Sequence, residues 1–251
     1  NKGAGKFEEV ALVAGVALLD SGKPVASMGP EFRDYDNDGW PDIVFVDLFG
    51  ETFPLFKNNG KGSFRDVTYS SRLGMLTARL SGWGPGLFDF NLDGWKDLFV
   101  SCAHVNDRVD EFEPTVYRLP NKIFLNDKGI FQDVSPSAGA DFQSARAHRG
   151  AAFADFNGDG LIDVAVASLL DPAEIWENIT ETDGDWLIIR LQGVKANRDG
   201  IGAKLKWGNQ WNVMTSGSGY SSSSHFGVHF GAPKGQASDT LEIWWPGGRK
   251  Q

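Results

Sequence analysis

Asp34, Asp36, Asp38 and Asp42 place carboxylates at positions 1, 3, 5 and 9 of a short stretch whose sixth residue is Gly39. The same offsets return in Asp89, Asn91, Asp93 and Asp97 around Gly94, and again in Asp155, Asn157, Asp159 and Asp163 around Gly160. Oxygen donors at this spacing suit a hard cation. Ca²⁺ takes about six to eight oxygens, and a loop can wrap it with side chains at positions 1, 3 and 5, a main-chain carbonyl at 7 and a carboxylate at 9. The position-7 carbonyls are those of Trp40, Trp95 and Leu161, and the glycine at position 6 admits the bend between the two halves of the loop. The pattern predicts about three Ca²⁺ ions.

A helix–loop–helix calcium site shares the first six positions but closes with a bidentate Glu at position 12, where this chain has Phe45, Val100 and Val166, all in apolar runs. Asp, Asn and Gly also favour turns without any metal. Turn chemistry accounts for one copy. It does not account for three copies with oxygen-bearing side chains at identical offsets, because clustered carboxylates without a cation repel one another.

The loops must be held by something, and the flanking residues indicate what. Each follows a short run with Phe32, Leu87 or Phe153 two residues before the first Asp, and each leads into a β-branched or aromatic run such as Ile43–Val46. That reads as strand, loop, strand. Between the loops a second element recurs, Leu55 to Thr68 and Ile123 to Ser135, with an Asn- and Gly-containing turn between two strand-like runs, which is a hairpin signal. Loop plus hairpin makes about four strands, and the loops lie 55 and 66 residues apart, the size of a propeller blade with insertions. Gly3 to Ala11 matches the second half of that hairpin, so the chain reads as opening within a blade, with the propeller truncated at its N-terminus. Residues 1–180 are therefore predicted to be a β-propeller segment of about three blades.

After Asn178 the acidic repeat stops. Residues 185–251 show strand-like runs at Trp186–Leu191, Ala203–Trp207, Trp211–Thr215, His225–Phe230 and Leu241–Trp245, separated by Gly- and Ser-rich turns. A small β-sandwich or barrel-like domain that ends early is expected there. The fold class is all-β throughout, in keeping with 31 Gly, 9 Trp and 18 Phe among 251 residues.

Bulk properties narrow the partners. A formal net charge of −9 repels a phosphate backbone and favours cations, so nucleic acid is not expected. Three divalent ions would offset most of that excess. The one cysteine, Cys102, excludes an intrachain disulfide and any Cys-based zinc site. No apolar run reaches the roughly 18 residues of a membrane span. Asn178-Ile179-Thr180 fits an N-glycosylation acceptor.

Catalytic signals are absent from the sequence. It holds no G-x-S-x-G elbow, no P-loop and no HExxH, and no catalytic residue is assigned. Gly82-Trp83-Gly84-Pro85-Gly86 reads as turn chemistry. His148 beside Arg149 reads as structural, and His225 and His229 as strand packing. The alternative kept open is a carbohydrate-active or other hydrolytic enzyme on a propeller scaffold, with carboxylates such as Asp110, Glu111 and Glu113 as candidates.

The acidic loops and their hairpins resemble the FG-GAP/VCBS-type repeat, the blade of integrin α-subunits and of many bacterial surface proteins. Asn197-Arg198-Asp199-Gly200-Ile201-Gly202, Gly217-Ser218-Gly219-Tyr220, His229-Phe230-Gly231 and Leu241 to Arg249 resemble the ASPIC/UnbV domain, although Ala232-Pro233 replaces the Leu-Gly usual there. Together the two resemble the cartilage acidic protein family. The resemblance implies calcium in the loops, an extracellular, cell-surface or periplasmic location, and an adhesion or interaction role toward a protein or glycan.

Overall fold

The computed structural model describes residues 3–194, 197–224, 227–238 and 240–251. Three antiparallel sheets follow one another along the first part of the chain. The first comprises β1 (Met28–Arg33), β2 (Asp42–Val46), β3 (Leu55–Asn58) and β4 (Phe64–Asp66), in that spatial order. The second repeats the arrangement with β5 (Gly82–Phe88), β6 (Asp97–Cys102), β7 (Lys122–Asp127) and β8 (Ile130–Asp133). The third has β9 (His148–Ala154), β10 (Asp163–Ser168) and β11 (Glu174–Trp176) and no fourth strand among the described residues, because the chain after Trp176 runs on toward the C-terminal unit.

The period-2 alternation of side chains decides how these sheets stack. In β6, Leu98, Val100 and Cys102 join a core with Val44, Val46 and Leu55 of the first sheet, while Phe99 turns the other way to pack with Phe153 and Val164 of the third. The middle sheet is therefore covered on both faces, and every residue of β6 is buried. Phe153, 1% exposed, lies within 6.3 Å of the ring centres of Phe88, Phe90 and Phe99, and its burial contributes about 2–3 kcal/mol. The first strands of the three sheets, β1, β5 and β9, lie side by side. Each first hairpin, β1–β2, β5–β6 and β9–β10, also carries a register shift at its end far from the acidic loop.

That neighbouring of first strands corrects the reading of Gly82 to Gly86 as a turn. The segment lies inside β5. A Cβ at Gly82 would stand 2.7 Å from Val46 Cβ, and one at Gly84 would stand 2.8 Å from the Ala151 nitrogen. Glycine is required there for close approach of strands, not for bending. The segment from Gly3, read as a hairpin strand, instead makes a Gly3–Lys6 bridge and leads into a helical turn at Ala11–Ala14.

The C-terminal unit has β12 (Asp185–Ile189), β13 (Lys204–Trp207), β14 (Gln210–Val213), β15 (Gly217–Ser218), β16 (Ser222–Ser223), β17 (Val228–Ala232) and β18 (Leu241–Trp244). Strands β12 and β17 pair, and β13 lies between β14 and β18. These two small sheets enclose Leu205, Trp207, Met214, Val228, Phe230 and Ile243. Residues 225 and 226, which begin one of the expected runs, are outside the described residues. The short β15–β16 hairpin, a Gly/Ser-rich segment that is not among the strand-like runs read from the sequence, lies against β1, β5 and β9. Tyr220 packs edge-on to Trp83 at 4.8 Å, and the Phe153 N–H donates to Ser224 Oγ at 3.0 Å.

Candidate metal centres

Each acidic loop joins the first two strands of its sheet, so the strand pair fixes the distance between the loop's first and ninth residues. Within the loops one hydrogen-bond pattern occurs three times. The first Asp accepts from the N–H of the position-6 glycine: Gly39 to Asp34 at 2.7 Å, Gly94 to Asp89 at 2.8 Å and Gly160 to Asp155 at 3.0 Å. The ninth Asp accepts from the N–H at position 2: Tyr35 to Asp42 at 3.1 Å, Phe90 to Asp97 at 3.0 Å and Phe156 to Asp163 at 2.8 Å. The fifth Asp accepts from the N–H of Trp40, Trp95 or Leu161 at 2.8–2.9 Å.

The glycines at position 6 hold φ of 93°, 88° and 90°, in the left-handed region. Position 4 is left-handed as well: Asn37 at 59°, Leu92 at 60° and Gly158 at 83°. Only the third loop uses the residue that adopts this conformation freely. Asn37 carries it in exchange for a bond from its amide to the Gly94 carbonyl at 2.9 Å, which ties the first loop to the second.

A residue outside the loops completes each one. The ninth Asp accepts a second bond from the backbone of an Asn at or just after the third strand: Asn58 to Asp42 at 2.7 Å, Asn126 to Asp97 at 2.8 Å and Asn178 to Asp163 at 2.7 Å. The Asn126 amide donates to the Tyr35 carbonyl of the preceding loop, and the Asn178 amide to the Phe90 carbonyl, at 2.9 and 2.8 Å. In the second and third sheets this Asn is thus a clamp to the preceding blade, whereas the Asn58 amide donates to the Pro41 carbonyl of its own loop at 2.8 Å. The recurrence of the Asn is visible in the sequence, but there it signals only a turn, because the carbonyls that Asn126 and Asn178 reach belong to another blade. For Asn178 the side chain is engaged inside the protein, in contrast to the free amide a glycosylation acceptor needs.

Burial sets the electrostatics. Burial pushes Asp42 up to about 8 and, with repulsion from Asp93, Asp89 up to about 7. Burial likewise raises Asp34, Asp93 and, strongly, Asp97. The donor set fits a hard divalent cation: the loops offer only oxygens, and ligand atoms of Asp34, Asp36 and Asp42 lie within 4.8 Å of one another. Asp36 Oδ1 is buried without a hydrogen-bond partner. The second and third loops carry Asn at position 3, and among the described residues they do not gather three carboxylates as closely.

The C-terminal unit covers the same end of the sheets. Trp211 lies against Gly39, Gln210 against Gly94 and Trp186 against Gly160, so the position-6 glycines also admit this contact. Lys204 donates to the Gly39 carbonyl and stands over the rings of Trp211 and Trp40, 4.3 and 4.8 Å from their centres. Lys96 donates to the Trp211 carbonyl at 2.8 Å. His229 Nε2 faces the Gly160 carbonyl at 2.8 Å, an acceptor only, so that nitrogen carries the proton. Burial lowers His229 to about 4, which keeps the ring neutral at pH 7.

The remaining candidates behave differently. His148 is fully buried, with Nδ1 3.0 Å from the carbonyls of Cys102 and Leu119 and Nε2 2.9 Å from Glu174, which is a packing role. Asp110, Glu111 and Glu113 lie on an exposed segment, where Glu111 pairs with Arg108. His225 lies outside the described residues.

Comparison with known proteins agrees with the resemblance read from the sequence. Residues 34–100 match the FG-GAP-like repeat and residues 193–251 match ASPIC and UnbV. Cartilage acidic protein 1 of Xenopus tropicalis is 26% identical over 99% of this chain and 37% of its own length, and that of Homo sapiens 25% identical over 99% and 44%. Integrin alpha-7 of Rattus norvegicus is 32% identical over 36% of this chain and 8% of its own length. The chain spans less than half the length of the cartilage acidic proteins it matches. It carries an FG-GAP-like repeat and an ASPIC and UnbV segment, and is homologous to cartilage acidic protein 1 over nearly its full length.

Proposed function

We propose that the chain is a calcium-stabilised, extracellular interaction module: blade-like sheets whose acidic loops at Asp34–Asp42, Asp89–Asp97 and Asp155–Asp163 each hold one Ca²⁺, presenting a surface to a protein or glycan partner. The observation that carries this reading is the hydrogen-bond frame repeated in all three loops, which in the first two surrounds carboxylates that burial makes costly to ionise alone. Supplying a divalent cation removes that cost, and the binding free energy is added to the stability of the fold. In each loop the first, third, fifth and ninth side chains, with the carbonyl of Trp40, Trp95 or Leu161, would be the ligands.

The similarity to cartilage acidic protein 1 and, over one segment, to integrin alpha-7 supports the adhesive role. The test is calorimetric titration of Ca²⁺ into chelator-treated protein with thermal melting in parallel. About three sites and a rise in Tm of many degrees are expected, with one site lost in Asp38→Ala and another in Asp159→Ala. Absence of binding at millimolar Ca²⁺ would return the loops to ordinary turns.

A further inference from the structure

The three loops share a frame, yet one strand position beside them does not repeat. The residue immediately before the Asn whose N–H bonds to the ninth Asp is Lys57 in the first sheet, Leu125 in the second and Glu177 in the third. Its place is fixed by the frame, because the next residue's N–H is bonded to the ninth Asp in every case. In the first sheet the side chain enters the loop: Lys57 Nζ pairs with Asp36 and, at 3.1 Å, with Asp38. Those are the side chains at positions 3 and 5. Glu177 Oε1 accepts from the Asn157 amide, at position 3 of the third loop, at 3.1 Å. Leu125 brings no charge.

We infer that this position sets the relative cation affinity of the three loops, with Lys57 acting as a tethered competitor in the first and Glu177 as an added anionic group in the third. The inference rests on the calcium reading of the loops. Its physics is direct. A divalent ion entering the first loop must displace an ammonium group from two of its own ligands, and then coexist with that charge a few ångströms away. In the third loop the same ion meets one more carboxylate that reaches the position-3 side chain. The middle loop is the uncharged reference. The extra carboxylate of the first loop, Asp36 where the others have Asn91 and Asn157, is matched by Lys57, so the two differences belong to one device.

Both positions can be brought to the reference state. Lys57→Leu and Glu177→Leu in the full chain, titrated with CaCl₂ by calorimetry beside the unaltered protein, are expected to move in opposite directions. Lys57→Leu should tighten the weakest site at least tenfold, and Glu177→Leu should weaken the tightest at least tenfold. Lys57→Arg, which keeps the charge, should leave the weak site weak. In an Asp38→Ala background the Lys57→Leu gain should vanish, as expected if the two side chains act on one ion. Circular dichroism checks each fold, and if Lys57→Leu does not fold, Lys57→Gln, which also removes the charge, takes its place beside Glu177→Leu. Binding to the unaltered protein with isotherms that superimpose across all variants would overturn this inference and leave the calcium reading standing. No binding to any of them would remove both.

Discussion

A buried carboxylate is costly to ionise without a partner, and the acidic loops hold several of them. Asp42 and Asp89 start from 3.8 in the unfolded chain and are raised to about 8 and about 7 in the folded one, in each case chiefly by burial. Without a cation the folded state therefore keeps protons that the unfolded state has already released. Stability from these groups is complete below about pH 4 and is lost as pH rises through 7 and 8. His229 has the opposite sign, since its folded value is lowered from 6.5 to about 4, and its contribution is lost as pH falls through that window. Between pH 6.5 and 8.5 His229 stays neutral in the folded state and its unfolded form only completes its deprotonation, which raises stability by about 0.4 kcal/mol, so a net fall across that interval reports the carboxylates. Chelator-treated protein should lose several degrees of Tm across that interval, and millimolar Ca²⁺ should flatten the dependence. A Tm in chelator that stays level or climbs from pH 6.5 to 8.5 would mean that Asp42 and Asp89 ionise freely without a cation.

At the scale of elements, the blades are joined by Asn126 and Asn178 as well as by apolar packing. Asn126, 1% exposed, donates to the carbonyls of both Tyr35 and Lys96 and accepts from the Gly129 N–H at 2.7 Å. Asn126→Ala leaves two buried carbonyls and an N–H unpaired and should cost about 3 kcal/mol, read by chemical denaturation. A loss below about 0.5 kcal/mol would show that water replaces the clamp. This clamp also shows what was legible in the sequence. The loops, their spacing and the strands beside them could be read because Asp, Asn and Gly at fixed offsets report local geometry, and the all-β class followed from the alternating runs around them. What could not be read depends on neighbours distant in sequence. Gly82, Gly84 and Gly86 look like a turn and are a strand because Val46, Ala151 and Phe153 crowd them from adjoining strands. Ser222 and Gly219 read as part of a Gly- and Ser-rich turn and belong to a hairpin that lies on the blades. Lys57 carries no motif at all, and only the pairing of β2 with β3 brings it to Asp36 and Asp38.

At the scale of the whole molecule, the C-terminal unit and the acidic loops form one contact region, although their sequences carry separate patterns. Trp211, Gln210 and Trp186 meet the three position-6 glycines, Lys204 and His229 bond to the carbonyls of Gly39 and Gly160, and Arg33 of β1 reaches Asn212 at 3.2 Å and Thr215 at 3.3 Å. The carbonyls of Gly39 and Gly160 belong to the residues just before the proposed position-7 ligands, so the loop conformation an ion would hold is the conformation the C-terminal unit contacts. A cation that orders the loops would thereby also favour docking of residues 204–213 and 228–232, because the ordering cost is met once for both. Hydrogen exchange on the intact chain measures this. Chelation should speed exchange at least tenfold in the loops and also in β14 and β17, whose outer contacts are to the loops, with a smaller change in β13, which is paired on both sides by β14 and β18. If β14 and β17 exchange at one rate with and without Ca²⁺ while the loops themselves lose protection, the unit is held by Arg33 and the β15–β16 hairpin alone, and the ions serve only the blades.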